Sequence, residues 1–189
     1  MRLAISIVLV GVLAADGRAQ EPNVDGYQRF LELTKSAPAA YLAGDRVEAA
    51  ERANELLALA ARHRNDWNYG NAVHSGHLVL GRVAVDADRL DEGRRRLLLS
   101  VDASILPYGF ESDRPKWKAS PQIDTFGPDM TLAARLLEKG ESEAVIRYLD
   151  ACSKFWDLDR GRLAKWKAEI LEGVRPDFGP NLKYFFPTR

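Results

Sequence analysis

Residues 67–100, WNYGNAVHSGHLVLGRVAVDADRLDEGRRRLLLS, decide how the rest of the chain is read. In the first half Val73, His77, Leu80 and Ala84 recur at spacings of three and four, which lines them along one side of a helix. Leu78, Val79, Val83 and Val85 make the other sides nearly as apolar, and a helix apolar all round is one enclosed by neighbours. The spacing therefore predicts an inner helix. After Asp86-Ala87-Asp88, a second segment sets Leu90, Gly93, Leu97 and Val101 at helical spacing, with Arg89, Arg94, Arg95 and Arg96 around them. That is the pattern of an amphipathic outer helix, and the two together make a hairpin.

This hairpin resembles a tetratricopeptide unit, which carries W-x2-L-G-x2-Y on its first helix and A-x3-F on its second. The chain has His77-x2-Leu80-Gly81-x2-Ala84 and then Gly93-x3-Leu97, so His77 and Ala84 stand in place of Trp and Tyr. Antiparallel helices approach closely only where side chains are minimal, which explains Gly81 and Gly93 at a cost of roughly 1 kcal/mol each in helix propensity. Asp45-Arg46-Val47-Glu48 is echoed by Asp88-Arg89-Leu90-Asp91, an offset of 43 residues. The echo suggests a second hairpin related by repetition, at a spacing nearer to HEAT-like units than to the roughly 34 residues of tetratricopeptide ones.

Upstream, Tyr27, Phe30 and Leu33 predict a short first helix over 25–33, with Ser36 capping a fresh start at Ala37-Pro38, because proline suits a first turn and breaks an interior. The segment 38–43 is expected to end at Gly44. Asp45 then caps a long helix over 46–64, with Ala50, Ala53, Leu57 and Ala60 as its buried ridge. Downstream, residues 102–127 hold Pro107, Pro115 and Pro121, show no sustained period and read as a long loop. Pro128 or Asp129 opens a helix with Met130, Ala133, Leu136 and Leu137 inward, closed at Gly140. Residues 141–158 form its partner, carrying Val145, Tyr148, Leu149, Cys152, Phe155 and Trp156. A capping helix over 160–172, with Leu163, Trp166 and Ile170 inward, stops at Gly173. In the tail, Phe178, Leu182, Tyr184, Phe185 and Phe186 are expected to pack back over the last helices, since together in water they would make a large apolar patch.

The amino terminus, MRLAISIVLVGVLAADGRAQ, has one basic residue, an apolar run from Leu3 to Ala15 and then small side chains. This is the outline of a cleaved secretory signal peptide, cut before Gln20 with Ala15 as the second choice, and it places the mature protein in the periplasm or outside the cell. The run is shorter than the roughly 20 residues of a membrane span, so no stable membrane insertion is expected after cleavage. Loss of residues 1–19 takes Arg2, Arg18 and Asp16 from 27 basic and 27 acidic side chains, leaving 25 against 26. A nucleic-acid binder concentrates a basic excess on one face, whereas Arg94-Arg95-Arg96 is countered by Asp86, Asp88, Asp91 and Glu92, so no nucleic-acid partner is expected. Cys152 is the only cysteine, which leaves no intramolecular disulfide, and its alignment with Val145, Leu149 and Trp156 reads as a buried hydrophobe.

As a set, the blocks WNYGNAVH, LVLGRVA, SPQIDTFGPDM, LLEKGE, CSKFW and PDFGPNL resemble a group of exported bacterial tetratricopeptide-like proteins, over a span from about Trp67 to Leu182. The resemblance implies the fold and brings no catalytic residues. The chain departs from the group in a longer loop over 102–119 and in His77, where the group often has Asn. The expected architecture is all-α: a right-handed stack of helical hairpins, divided as signal peptide 1–19, amino-terminal helical segment 20–44, repeat domain 45–172 and tail 173–189.

Such stacks present a concave groove lined by their first helices, here over 67–86 and 128–139. Trp67, Asn68, Tyr69, Asn71 and His74 gather where the inner helix begins, and Asp129 opens the helix expected opposite. A helix amino terminus attracts carboxylates, so these six residues are the candidate anchors for a protein or peptide segment. The structural reading of the same residues is that the amides cap free backbone N–H groups. His74 and His77, three apart, have a spacing that can hold a metal, with Glu138 or Asp86 as a carboxylate ligand, but HExxH is lacking and interior hydrogen-bonded histidines are the simpler reading. The chain shows no G-x-S-x-G, phosphate-cradling glycine loop or paired-carboxylate motif. The sequence therefore favours an interaction module without catalytic residues, metal or cofactor. The alternatives are a metal-dependent or other enzyme using His74 and His77, and a structural subunit docking through its aromatic tail.

Overall fold

The computed structural model of the protein describes residues 24–102, 123 and 126–182. Among these residues seven α-helices follow one another: α1 (Val24–Leu42), α2 (Arg46–Ala60), α3 (Tyr69–Asp86), α4 (Leu90–Leu99), α5 (Thr131–Glu138), α6 (Ser142–Cys152) and α7 (Arg162–Leu171), with a 3-10 turn at Gly179–Leu182. The described residues contain no strand, so the all-α expectation holds. The expected signal peptide over 1–19, most of the long loop and Tyr184, Phe185 and Phe186 lie outside the described residues.

Three pairs of helices are joined by three-residue links, and all three links are built alike. Gly44, Asp88 and Gly140 sit at φ 90, 58 and 84°, the left-handed conformation that ends a helix. Each donates back to the residue three before it (Tyr41, Val85, Leu137), and the next residue donates to the carbonyl five before (Ala40, Ala84, Leu136). This pair of bonds satisfies the last carbonyls of one helix while turning the chain into the next. Gly173 closes α7 the same way, with Val174 N–H bonded to Glu169.

These corners correct the pairing suggested by the echoed tetrapeptides. The structural equivalent of Gly44 is Asp88, which takes the turn instead of capping the helix that follows; Asp45, Arg89 and Glu141 stand at the three helix starts. The matching corners lie 44 residues apart from Gly44 to Asp88 and 52 from Asp88 to Gly140, rather than the 43 suggested by the echoed tetrapeptides. Of the three, only Asp45 caps with its side chain, accepting from the Glu48 N–H at 2.9 Å.

Helix α1 runs through Pro38 without the expected break at Ser36. A proline inside a helix leaves the carbonyl four residues earlier without its donor. That carbonyl belongs to Thr34, and Ser75 Oγ of α3 donates to it at 3.4 Å. Helix α2 ends at Ala60, short of Arg64, and its fully buried ridge is Ala49, Ala53, Leu56 and Ala60; Ala50 and Leu57 are only half-buried. Helix α6 likewise stops at Cys152, well before Leu158.

Consecutive helices pack on each other, and α3 also meets α1 and α5, so that it is walled in on several sides. Every residue from Tyr69 to Gly81 is buried. Two glycines sit where close approach requires them. A Cβ on Gly81 would lie 2.3 Å from Leu132 Cδ2, and one on Gly93 would lie 2.6 Å from Val85 Cγ2. One apolar core runs from Phe30 and Leu33 in α1 to Ile170 in α7 and Phe178 beyond it. The boundary expected at 44/45 therefore falls inside a hairpin whose two helices share that core.

Candidate functional site: the polar cluster at the start of α3

Of the six side chains singled out from the sequence, five are interior. Tyr69 and Asn68 are buried, Asn71 is 1% exposed, and His74 and Asp129 are fully enclosed. Trp67 alone faces solvent, at 52%. The face of α3 expected to line a groove is accordingly covered by protein, and the amide and imidazole groups bond to partners within the protein.

The amides do not cap the helix. Asn68 stands at the N-cap position of α3 but makes no capping bond with its side chain. It donates instead to Thr34 Oγ1 on α1, and its Oδ1 accepts from Asn71 Nδ2, both at 3.2 Å. The turn before it is held by Asp66, whose carboxylate accepts from the Asn68 N–H at 2.8 Å and from Tyr27 OH at 3.0 Å. That second bond raises the tyrosine hydroxyl's pKa. Amide and hydroxyl groups thus stitch α3 to α1 where two buried helix faces meet.

His74 is the centre of a second set of bonds. Its Nδ1 lies 3.1 Å from the Ser100 carbonyl, which can only accept, and its Nε2 accepts from the Asp129 N–H at 3.0 Å. Only the neutral ring with its proton on Nδ1 satisfies both neighbours. Burial lowers the His74 pKa to about 4, opposed in part by the bond to Ser100. Asp129 turns its carboxylate onto the N–H and hydroxyl of Thr131 at the start of α5, and its carbonyl accepts from Tyr148 OH at 3.0 Å. Asn181, in the 3-10 turn, closes the set from behind: its carbonyl takes the Met130 N–H at 2.8 Å and its Nδ2 donates to the Pro128 and Phe126 carbonyls.

Serine, histidine and aspartate therefore come together here, but not as a nucleophile and its base. His74 meets the backbone of Ser100 and of Asp129, while Ser100 Oγ donates to Leu97 O at 2.7 Å. A nucleophilic triad needs the hydroxyl on the ring nitrogen.

His77, one turn on, is buried too, and its Nδ1 faces Arg96 NH1 at 3.3 Å. Burial first, then the Arg96, His74 and Arg95 charges, bring its pKa down to about 4. With both nitrogens of His74 engaged, the His74–His77 pair cannot offer the two free lone pairs that a metal site on this helix would use. Cys152 is buried, as its position in line with Val145 and Leu149 implied, and burial raises its thiol pKa well above the usual range, against a bond from Tyr148 that lowers it.

Ser100, Thr131, Tyr148 and Asn181 were not legible as members of this set. Ser100, Tyr148 and Asn181 meet partners brought in by the fold from distant parts of the chain, while Thr131 meets Asp129, two residues before it. Among the described residues the surface has an open depression of about 510 Å³, lined by Asp88, Arg89, Leu90, Asp91, Glu92, Arg94 and Glu141 at the corners that start α4 and α6. Arg94 there pairs with both Asp91 and Glu141, and Arg89 with Glu92. Comparison of the chain with known protein families, with curated proteins and with solved structures found no match.

Proposed function

We propose that the chain is an exported, tetratricopeptide-like stack of helical hairpins that works as an interaction module, holding a protein or peptide segment on its outer surface without catalysis of its own. The observation that carries this reading is a division of labour. His74, His77, Asp129, Cys152 and Tyr148, the histidines, carboxylate, thiol and phenol gathered in the interior, are buried and committed to internal bonds, while Trp67 is half-exposed on the turn where Asp66 accepts from the Asn68 N–H. An exposed aromatic beside buried side chains is the kind of anchor around which binding energy concentrates. The recognition surface moves outward accordingly, from the inner-helix groove to Trp67.

The test is affinity capture from a periplasmic extract with the wild-type chain and with Trp67→Ala, followed by thermal unfolding of both. A partner held by the wild type and lost from Trp67→Ala at unchanged melting temperature supports the reading. Retention indifferent to Trp67, or stoichiometric zinc or iron in the purified protein, contradicts it.

A further inference from the structure

The bonds around His74 join two parts of the chain that are far apart in sequence, and they allow one protonation state. On one side stands an acceptor, the Ser100 carbonyl; on the other a donor, the Asp129 N–H. Protonation puts a second N–H on the ring, so that Nε2 and the Asp129 N–H become two donors facing each other in a fully buried setting. The Asp129 carboxylate turns its Oδ1 to Thr131, accepting there from both the N–H and the hydroxyl.

Among the described residues the ring's surroundings are consistent with that, α5 meeting α3 through Leu132 and turning its Arg135 to Asp86 at the far end of α3. On α3 itself the nearest titratable group is His77, and α4 brings Arg95 and Arg96, the latter paired with Glu92 at 3.6 Å. From α6 come Tyr148 and Cys152. On the other side of α3, α1 and α2 meet Ser75 and Gly76 through the uncharged Thr34, Leu57 and Ala53. What depends on the ring is the segment 126–130. Its Asp129 N–H is held by His74 in front, and from behind Asn181 takes the Met130 N–H and donates to Phe126 and Pro128.

We propose that His74 is an acid-sensitive latch: uptake of a proton from water by its ring releases the segment Phe126–Met130, with the 3-10 turn seated on it, from α3 while the hairpins of α1 to α4 stay folded. Amide hydrogen exchange on the full chain, compared at pH 7 and pH 5 after correction for intrinsic rates, tests it. The opening equilibrium at the Asp129 and Met130 amides should rise by about tenfold or more between the two pH values, while the Ala53 and Leu56 amides of α2 change far less. In His74→Gln, whose side chain can donate and accept without titrating, that rise should vanish, and in His77→Gln it should persist. Wild-type ring nitrogen spectra should show the Nδ1–H tautomer at pH 7. Equal rises in α2 and at Asp129, no rise at either, or a rise that survives in His74→Gln would overturn the proposal; should His74→Gln fail to fold, the wild-type contrast between Asp129 and α2 decides alone.

Discussion

At position 38 a proline occupies the interior of a helix, and a hydroxyl 37 residues later makes it tolerable. Local rules place a break there, and they are right about the cost; what they cannot see is that Ser75 supplies the donor Pro38 lacks. Ser75→Ala should therefore cost about 1 kcal/mol, the penalty of a part-buried carbonyl left without that donor. Adding Pro38→Ala, which restores the N–H, should recover most of it in a double-mutant cycle by urea unfolding; additive losses would contradict the account. Gly81 was legible, because a glycine in an apolar helix signals close approach. Gly81→Ala should destabilise by about 1–3 kcal/mol through overpacking against Leu132, outweighing the gain in helix propensity. For His74 and His77 the folded pKa of about 4 lies below the unfolded value near 6.5. Their neutral rings thus contribute stability that is whole above about pH 6.5 and drains away as pH falls toward 4, up to about 3 kcal/mol for each ring. Melting temperature measured across that window should fall, and His74→Gln should flatten the fall.

At the scale of helices, ion pairs gather near the corners of the hairpins. Asp86, closing α3, accepts from Tyr41 OH of α1 at 2.8 Å and pairs with Arg46 of α2 at 2.7 Å and Arg135 of α5 at 3.4 Å. One carboxylate thereby ties three successive hairpins along a single edge. Burial pushes its pKa up, but the Tyr41, Arg46 and Arg135 contacts outweigh that and leave it lowered. Arg46 and Arg135 are 42% and 43% exposed, so the screened contribution is about 1 kcal/mol. Asp86→Asn should lose about that amount at pH 7, and the difference should disappear as pH falls below the ordinary carboxylate range, where the wild-type side chain is also neutral. Helix identity and the inward residues of α3 and α7 could be read from spacing alone, whereas in α5 Leu132 is fully buried and Leu137, expected inward, is only partly so. Register could not: Asp45 and Asp88 look equivalent as residues, yet one caps a helix start and the other takes the left-handed turn before it. The same local chemistry, a short acidic side chain, serves either position, and only the hydrogen bonds distinguish them.

Across the whole molecule the tail belongs to the fold as far as it is described. Phe178 packs edge-on to Trp166 at 5.0 Å between ring centres, Trp166 Nε1 donates to Asp177 O, and Asn181 is fully buried. Phe178→Ala should cost about 3–5 kcal/mol in equilibrium unfolding, where a tail reserved for docking would lose almost nothing. That packing was foreseeable from the density of large apolar side chains in the tail sequence. The fate of residues 68–74 was not, because the polar character of Asn68, Asn71 and His74 argues for a surface whereas the neighbours that bury them come from α1, α4, the segment before α5 and the final turn. Asn71, His74 and Asp129 are interior supports of the stack, and on that the rest depends. Thermal unfolding of the Asn71→Ala/His74→Ala chain at pH 7 tests it most directly. A loss of roughly 4 kcal/mol, on the order of 10 °C for a chain of this size, is expected from two buried groups removed and their partners left unmet; a melting temperature within about 2 °C of wild type would show that these side chains serve something other than the fold.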